Sequence, residues 1–264
     1  MSYEKIIKGL SLKVGPLGEH DRLLTLVSDE EGLIRLAVPG ARRPNSSLAG
    51  ATPLSFLQLH IGGKSNLKKV RQLKILKSFN KLGQSYESLA AAQALAELTQ
   101  MLVAINEPIP GLLATLLIHL ESLEELTESN SCNSLNTLAT CIQACIHLLA
   151  LGGYSLPIQK CCQSNIQLDP PIGQWDWRCS FIPQEGFAIG SIPSSKIQLN
   201  PSELALLQRL LRPNLPKCAN GALMGPLKVW LILLQVVETW IETHLSKKIT
   251  SLSMLREIFL IKEI

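Results

Sequence analysis

Basic side chains without acidic neighbours are the first group in this sequence that could do chemistry. Residues 32–80 carry nine lysines and arginines and no aspartate or glutamate. So many unopposed positive charges exceed what solubility requires, and their simplest use is to neutralise phosphates and release the counterions around a nucleic acid. The predicted phosphate contacts are Arg35, Arg42, Arg43, Lys64, Lys68, Lys69, Arg71 and Lys74.

The spacing of these cations limits how many can share one surface. If residues 67–77 form a strand, strict alternation places Lys68 and Lys74 on one face and Lys69, Arg71 and Lys77 on the other, unless a bulge intervenes. A second interpretation stays open, because lysines along an exposed edge strand also protect a sheet against aggregation.

Catalytic motifs are missing from the sequence. It has no Gly-x-Ser-x-Gly elbow and no glycine-rich phosphate loop, and its five histidines have no serine or cysteine signature beside them. His119 shares the polar side of a predicted helix with Thr115 and Ser122, which predicts a solvated ring. The sequence therefore predicts a protein that is not an enzyme.

The cysteines favour packing over a metal site or a disulfide framework. Seven is an odd number and all seven follow residue 131, so we expect reduced thiols. Cys141 and Cys145 are one helical turn apart, but Cys145 lies in a stripe of leucines, where a free cysteine acts as a small hydrophobe. Cys161, Cys162 and Cys179 lack both the C-x2-C spacing and a fourth ligand for zinc. We expect no metal and no cofactor.

The elements that must position the cations are short strands. Apolar and polar residues alternate in Leu10 to Val14, Ile34 to Val38 and Leu57 to Ile61, with further strands expected over residues 23–28 and 67–77. Five strands within 80 residues, with no long helix between them, pack best as a small barrel.

From Ser85 the apolar period becomes that of a helix, and three amphipathic helices precede Gly152 and Gly153. Helical signals resume after Asn200 and include a long helix over residues 223–246. The fold class is therefore α+β. The predicted domains are a barrel (1–80), a helical bundle (81–153), an irregular insert with room for a hairpin (154–200) and C-terminal helices that complete the helical domain (201–264).

The charge distribution supports this division. The net charge of +4 separates into +7 over residues 1–80, −6 over 81–159 and +3 over 160–264. The most apolar run, Val229 to Val237, is far shorter than the ~20 residues of a membrane-spanning helix. The N-terminus carries Glu4, Lys5 and Lys8, which interrupt any secretory signal. We expect a cytoplasmic protein whose basic first part has an anionic partner.

An ordered series of weak motifs resembles a known family. The series runs Leu12-Lys13-Val14, Gly18-Glu19-His20-Asp21, Leu23-Leu24-Thr25-Leu26-Val27, Glu31-Gly32-Leu33-Ile34, Pro39-Gly40-Ala41-Arg42-Arg43 and Ser47-Leu48-Ala49-Gly50. It resembles the N-terminal OB-fold of the RecO recombination mediator family. Weaker likeness continues through Ala96-Glu97-Leu98 and Gly152-Gly153-Tyr154 to the late helix over residues 233–245.

The resemblance implies a bacterial, nucleoid-associated DNA repair and homologous recombination protein. Such a protein binds single- and double-stranded DNA, anneals complementary strands, and works with RecR and the C-terminal tail of single-stranded-DNA-binding protein to load RecA. The alternative is a non-enzymatic interaction scaffold whose basic part binds an acidic peptide.

Many members of this family carry a four-cysteine zinc module after the Gly-Gly-Tyr motif. Here Cys161 matches the first ligand, but Ser164 stands where the second would be, and residues 186–189 with Ser191 replace the later pair. We therefore expect a degenerate, zinc-free remnant of the module within residues 154–200.

Overall fold

The computed structural model describes residues 3–63, 67–128 and 134–262. By its contacts the chain separates into two compact units, Met1–Glu128 and Ser129–Ile264. This division falls at residue 128, between the second and third helices of the chain. The four domains expected from the sequence, with limits at residues 80, 153 and 200, stay predictions.

The first unit contains a closed barrel. Its strands are β1 (Tyr3–Leu17), β2 (Asp21–Ser28), β3 (Gly32–Val38), β4 (Ser55–Gly63) and β5 (Lys68–Ser78). They follow the order β1-β2-β3-β5-β4, and every pair is antiparallel except β3 with β5. This is the five-stranded Greek-key barrel of the OB-fold, so the predicted α+β class with an N-terminal OB barrel is confirmed.

Alternation along the strands produces the barrel core. The apolar residues of β2 and β3 that point inward pack with those of β4, and the polar residues between them face out. The interior side chains include Ile7, Leu24, Leu26, Ile34, Leu36, Val38, Leu57, Leu59, Ile61 and Val70.

A short 3-10 helix (Asn80–Gln84) and two α-helices complete the first unit: α1 (Tyr86–Leu102) and α2 (Leu112–Glu128). The Ser85 hydroxyl caps α1 by accepting the N–H of Ser88 at 3.3 Å. Ile105 continues the apolar spacing of α1, but the helix ends at Leu102. The chain leaves the helix there because residues 104–106 form backbone bridges to Gly32 and Leu33 at the start of β3.

The second unit combines helices with a small sheet. Its elements are α3 (Ser134–Leu151), β6 (Cys179–Ile182), β7 (Gly186–Ile189), β8 (Ile197–Leu199), α4 (Pro201–Arg209), α5 (Leu227–Leu245) and α6 (Thr250–Lys262). The strands form an antiparallel sheet in the order β7-β6-β8. α3 packs against α5.

Helix α3 is long and apolar enough to cross a bilayer by length and composition, with a mean hydropathy of 1.4. Two-thirds of it (67%) is buried inside the protein, which is also the property of a core helix.

Two boundaries in the second unit have local causes. Asn200 and Glu203 form a reciprocal capping box that starts α4. α5 starts at Leu227, four residues later than predicted, because the preceding residues belong to a structured connection in which the Trp230 indole N–H donates to the carbonyl of Met224 at 3.0 Å.

Candidate nucleic-acid interface

The outer face of β1, β4 and β5 carries cations in register. Lys8 lies opposite Gln58, and Gln58 lies opposite Lys74. Directly paired residues of antiparallel strands point to the same side of the sheet, and neighbouring strands are about 4.8 Å apart. Lys8 and Lys74 are both exposed, so they flank Gln58 on one accessible surface.

Two bulges in β5 decide which cations share this face. The register with β4 shifts by one residue at Arg71 and again at Leu76. Because the Arg71 bulge lies between them, Lys69 and Lys74 both point outward, although strict alternation would place them on opposite faces, while Val70 points into the core. From the sequence, these cations could share one surface only if a bulge interrupted the strand. The structure contains such a bulge.

Arg71 is itself the extra residue of the first bulge. Its guanidinium Nε lies 3.7 Å from the carboxylate of Glu4, which is also 3.8 Å from Nε2 of His60. All three side chains lie at least partly in solvent. Glu4 therefore offsets part of the positive charge on this face.

Arg35 occupies a separate row of the barrel. It is exposed on β3 opposite Thr25 of β2, and Thr25 lies opposite Lys13 of β1. The face formed by strands 2 and 3 is the one through which OB-folds bind oligonucleotides. Lys13 and Arg35 thus lie on that face, on either side of Thr25.

A cleft brings Arg35 and Lys68 together. Lys68 is half-buried and lies opposite Leu36, where β3 and β5 meet. Both cations line a cleft of about 280 Å³. Its other lining residues are Glu31 and Asn106 and the apolar Ile34, Leu36, Ile61, Leu67 and Ile105.

Arg42 and Arg43 lie in the connection between β3 and β4, and this connection is fastened to the turn between β1 and β2. The N–H of Arg42 donates to the carbonyl of His20 at 2.9 Å, and its guanidinium donates to the carbonyl of Gly18 at 3.2 Å. Arg43 is exposed. The Arg42 side chain therefore supports the connection as well as contributing charge, whereas the Arg43 side chain makes no hydrogen bond in the described structure and contributes charge alone. Lys64, the remaining predicted contact, lies outside the described residues.

Several cations of the first unit are engaged in ion pairs. Lys5 pairs with Glu30 and Glu31, Lys77 with Glu121 and Glu124, and Lys81 with Glu128. Hydrogen bonds to Glu31 and Glu30 raise the pKa of Lys5 well above its usual range.

Six other exposed cations of the first unit have no carboxylate within 4 Å and no side-chain hydrogen bond in the described part of the chain; the hydrogen bond to Gly18 excludes Arg42. We call these the open cations: Lys8, Lys13, Arg35, Arg43, Lys69 and Lys74. Sequence reasoning missed Lys8 and Lys13 because both precede the acid-free stretch. Alternation along β1, where Ile7 points inward and Lys8 outward, is the signal that identifies Lys8.

The second unit contains a thiol with its own local chemistry. Sγ of Cys161 accepts the backbone N–H groups of Ser164 and Ile189, each at 3.5 Å. Burial raises the pKa of this thiol, but hydrogen bonds from the Ser164 side chain and from backbone N–H groups outweigh it and lower the pKa to about 7. Burial, then the nearby Cys161 and Cys162, raises the pKa of Cys179 to about 12.

These residues do not fit the zinc module of the resembled family. No group of three histidine, cysteine or acidic side chains in the described part of the chain is arranged to hold a metal ion. At Cys161, N–H groups satisfy the sulfur instead, and one of them belongs to Ile189 of β7, within the segment that replaces the later ligand pair.

The fold and the surface together define a class: an OB-barrel protein joined to a helical unit, with open cations on the outer barrel surface. The family models for the recombination protein O N-terminal and C-terminal regions match residues 1–79 and 83–253. The chain belongs to the RecO family of DNA repair proteins.

Curated relatives agree with this membership along nearly the whole chain. A protein of Prochlorococcus marinus (strain MIT 9303) named "DNA repair protein RecO" is 64% identical over 257 residues, which cover 97% of this chain and 96% of the relative. Proteins of the same name from Synechococcus sp. (strain WH7803) and Cyanothece sp. (strain PCC 7425) are 56% and 31% identical, covering 97% and 95% of this chain and 95% and 94% of the relatives.

Proposed function

We propose that this protein binds single- and double-stranded DNA on the outer surface of its barrel and promotes the annealing of complementary strands. The observation that carries the proposal is the set of open cations. Five of them are exposed on the outer side of the barrel strands, and Arg43 is exposed on the connection between β3 and β4. Cations that are not neutralised by the protein's own carboxylates are available to phosphates. Of the residues predicted from the sequence, Arg35, Arg43, Lys69 and Lys74 belong to this set, and Lys68 joins Arg35 at the cleft.

The proposed mechanism involves no covalent step. When phosphates of two strands are neutralised at one protein, their mutual repulsion falls and their local concentration rises, and both effects favour pairing. The protein acts as a recombination mediator in the cytoplasm, at the nucleoid. With RecR and the C-terminal tail of single-stranded-DNA-binding protein as partners, it favours the loading of RecA.

The aromatic side chains of the barrel support a mode of binding based on phosphates. Phe79 is buried and Phe56 is half-buried. Stacking on exposed aromatic rings contributes about 1 to 3 kcal/mol per base where it occurs. With little of it available from these two rings, binding should depend weakly on base sequence and strongly on salt.

A charge-reversal experiment tests the proposal. The variant Arg35→Glu/Lys69→Glu/Lys74→Glu removes open cations whose side chains make no other polar contact in the described structure. The control Lys160→Glu/Lys196→Glu/Lys247→Glu makes the same charge change at exposed positions of the second unit. Affinity for a labelled oligonucleotide is measured against salt for both variants and for the unmodified chain.

We expect a slope of log K against log salt of about −4 for single strands if the six open cations each neutralise one phosphate. The barrel variant should lose about half of that slope, and the control should retain it. An affinity that does not respond to salt, or that is unchanged by the barrel reversal, contradicts the proposal. Binding of an acidic peptide in preference to DNA would support the scaffold alternative.

A further inference from the structure

We propose that the second unit has its own phosphate-binding cleft, formed by the connection between α4 and α5, and that it holds a second nucleic-acid strand. This inference rests on the proposed function of the barrel and adds a separate site to it. We call the site the α4–α5 cleft and define it by Arg209, Arg212 and Lys217, which line a space of about 390 Å³.

The α4–α5 cleft is strongly positive. Its three cations are exposed, and no carboxylate of the described residues lies within 4 Å of any of them. The reason lies in the sequence, since residues 204–237 contain no aspartate or glutamate while Lys228 adds a fourth positive charge. This is a second acid-free basic stretch, and it is distant in sequence from the one in the barrel.

Hydrogen bonds from α3 anchor the connection that carries these cations. The Gln143 side chain of α3, itself 3% exposed, donates to the carbonyl of Arg212 at 2.8 Å. Nε2 of His147 donates to the carbonyl of Leu210 at 2.9 Å. Burial lowers the pKa of His147, and the bond to Leu210 opposes this shift.

The later part of the connection is fixed by its own backbone contacts. The N–H of Met224 donates to the carbonyl of Pro216 at 2.9 Å, and Lys217 forms a backbone bridge with Leu223. A run of charges that only faces solvent needs no such framework. These contacts fix the backbone that carries Arg212 and Lys217, and the Arg209 guanidinium donates to Sδ of Met224 at 2.9 Å. A backbone that is fixed before the ligand arrives loses less conformational entropy on binding, which favours a binding site over a merely soluble surface.

The chemistry of the lining favours phosphate. Two of the three cations are arginines, whose planar guanidinium forms paired hydrogen bonds with phosphate oxygens. The remaining lining consists mainly of Pro213, Pro216, Leu215 and Met224. Pro216 is buried, and Leu215 and Met224 are half-buried. A polyanion with closely spaced charges matches three cations in so small a space better than a peptide whose acids are spread along its chain.

Two phosphate-binding sites on one chain would change the kinetics of annealing. A strand held by the barrel and a complementary strand held by the α4–α5 cleft meet within one complex. Their pairing then depends on an effective concentration that reaches about the millimolar range for short tethers. Each site alone can bind a strand, but only both together provide this advantage.

The test uses the full chain and a short oligothymidine of about eight nucleotides, within the site size of about 4 to 16 that one OB-fold covers. The cleft variant is Arg212→Glu/Lys217→Glu, and its matched control is Lys196→Glu/Lys247→Glu, which reverses two exposed lysines of the same unit outside the cleft. Binding stoichiometry is measured at low salt, and annealing of two complementary strands is followed by fluorescence. Circular dichroism confirms that each variant is folded.

We expect two oligothymidines per unmodified chain and per control chain, and one per chain for the cleft variant. The annealing rate of the cleft variant should fall about tenfold, the lower end of the range by which charged surfaces accelerate association. The barrel variant described above should also bind one oligothymidine, and that one should be lost when the cleft reversal is added.

Failure of the inference is distinguishable from failure of the proposed function. If the barrel reversal abolishes binding and the cleft reversal changes neither stoichiometry nor annealing, the barrel proposal stands and the inference is overturned. If the barrel reversal has no effect, the proposed function fails. If the barrel variant binds an acidic peptide of equal charge through the cleft but no oligothymidine, the cleft is a peptide site and the inference is again overturned.

Discussion

The open cations differ from the other basic residues of the barrel unit in what their neighbours do. Lys77 belongs to the same acid-free stretch as Lys74, yet its Nζ lies 2.9 Å from the carboxylate of Glu121 and 4.8 Å from the centre of the Phe79 ring. Glu121 is 44 residues away in sequence. Composition identifies a surplus of positive charge, but only the fold determines which cations the protein neutralises internally.

Glu4 offers a test by gain of binding, which a folding defect cannot imitate. In Glu4→Gln the carboxylate beside Arg71 and His60 is lost, so Arg71 becomes available to phosphate. We expect tighter DNA binding at low salt and a salt slope steeper by about one. Stability should change by less than about 0.5 kcal/mol, because the pair is exposed.

The matched control for this variant is Glu125→Gln, which removes a charge from an exposed position on α2 of the same unit. Equal affinity changes in both variants would show that only the net charge matters and that Glu4 has no special position.

Cys161 should titrate near neutral pH. Its pKa of about 7 lies below the ordinary value of 9.0, so its ionised form stabilises the folded state above pH 9, and this contribution is lost as the pH falls through about 7. Thiolate absorbance of the chain minus that of Cys161→Ala should show this midpoint. Ser164→Ala should raise it, because the side-chain hydrogen bond is lost. A midpoint near 9.0 in the unmodified chain would show that these hydrogen bonds do not control the thiol.

One histidine corrects a prediction. We expected His119 to be solvated because Thr115 and Ser122 lie on the same side of the helix, but only 5% of the surface of His119 is exposed. The period of a single helix identifies one polar side, whereas α2 contacts both α1 and the 3-10 helix. A helix with two neighbours buries more of its circumference than its polarity pattern indicates.

At the scale of elements, the strand pattern predicted the barrel well because inward and outward residues alternate along β2, β3 and β4. β5 was harder. Its bulges at Arg71 and Leu76 shift the phase twice within eleven residues, and no residue type announces a bulge of this kind. The sequence therefore indicated that a bulge was needed for the cations to share a face, but it could not show that β5 contains one.

Gly18 and Gly32 have nearly equal φ but different surroundings, so they separate the cost of positive φ from the cost of close packing. Gly32 and Gly18 have φ of +65° and +63°. A Cβ on Gly32 would lie 2.5 Å from the backbone of Glu107, whereas one on Gly18 would have no atom within 4 Å. Gly18→Ala should therefore incur only the cost of positive φ, about 1 kcal/mol.

Gly32→Ala should cost about 1 to 3 kcal/mol more than Gly18→Ala, because the segment after α1 must move away from β3. Chemical unfolding of the two variants measures the difference. Equal losses would mean that this segment yields without cost and that the contact with β3 contributes little to stability.

At the scale of the whole molecule, the contrast between a basic first part and an acidic middle was visible from the sequence. What it did not indicate is the division of the chain after α2. The apolar stripes of α1, α2 and α3 have similar sequence patterns, so their period cannot indicate which other elements each helix packs against. The structure assigns α1 and α2 to the barrel's unit and α3 to the unit of α5.

The α4–α5 cleft was also not identified from the sequence, although its signal was present. Arg209, Arg212 and Lys217 are spaced over nine residues with prolines between them, a spacing that matches neither a helix nor a strand. Their convergence depends on anchors from α3, more than sixty residues earlier in the chain. Long-range hydrogen bonds of this kind leave no local pattern.

The parallel junction between β3 and β5 has a consequence for the motions of the barrel. In the described residues it consists of two register pairs, Leu36 with Lys68 and Ala37 with Lys69, so it should be the weakest seam of the cylinder and the first to open locally. Arg35 and Lys68 lie on opposite sides of this seam, so a phosphate held by both would clamp it shut. Amide hydrogen exchange at residues 35–37 and 68–70 should therefore slow when DNA binds, and unchanged exchange there would mean that bound DNA does not bridge the seam.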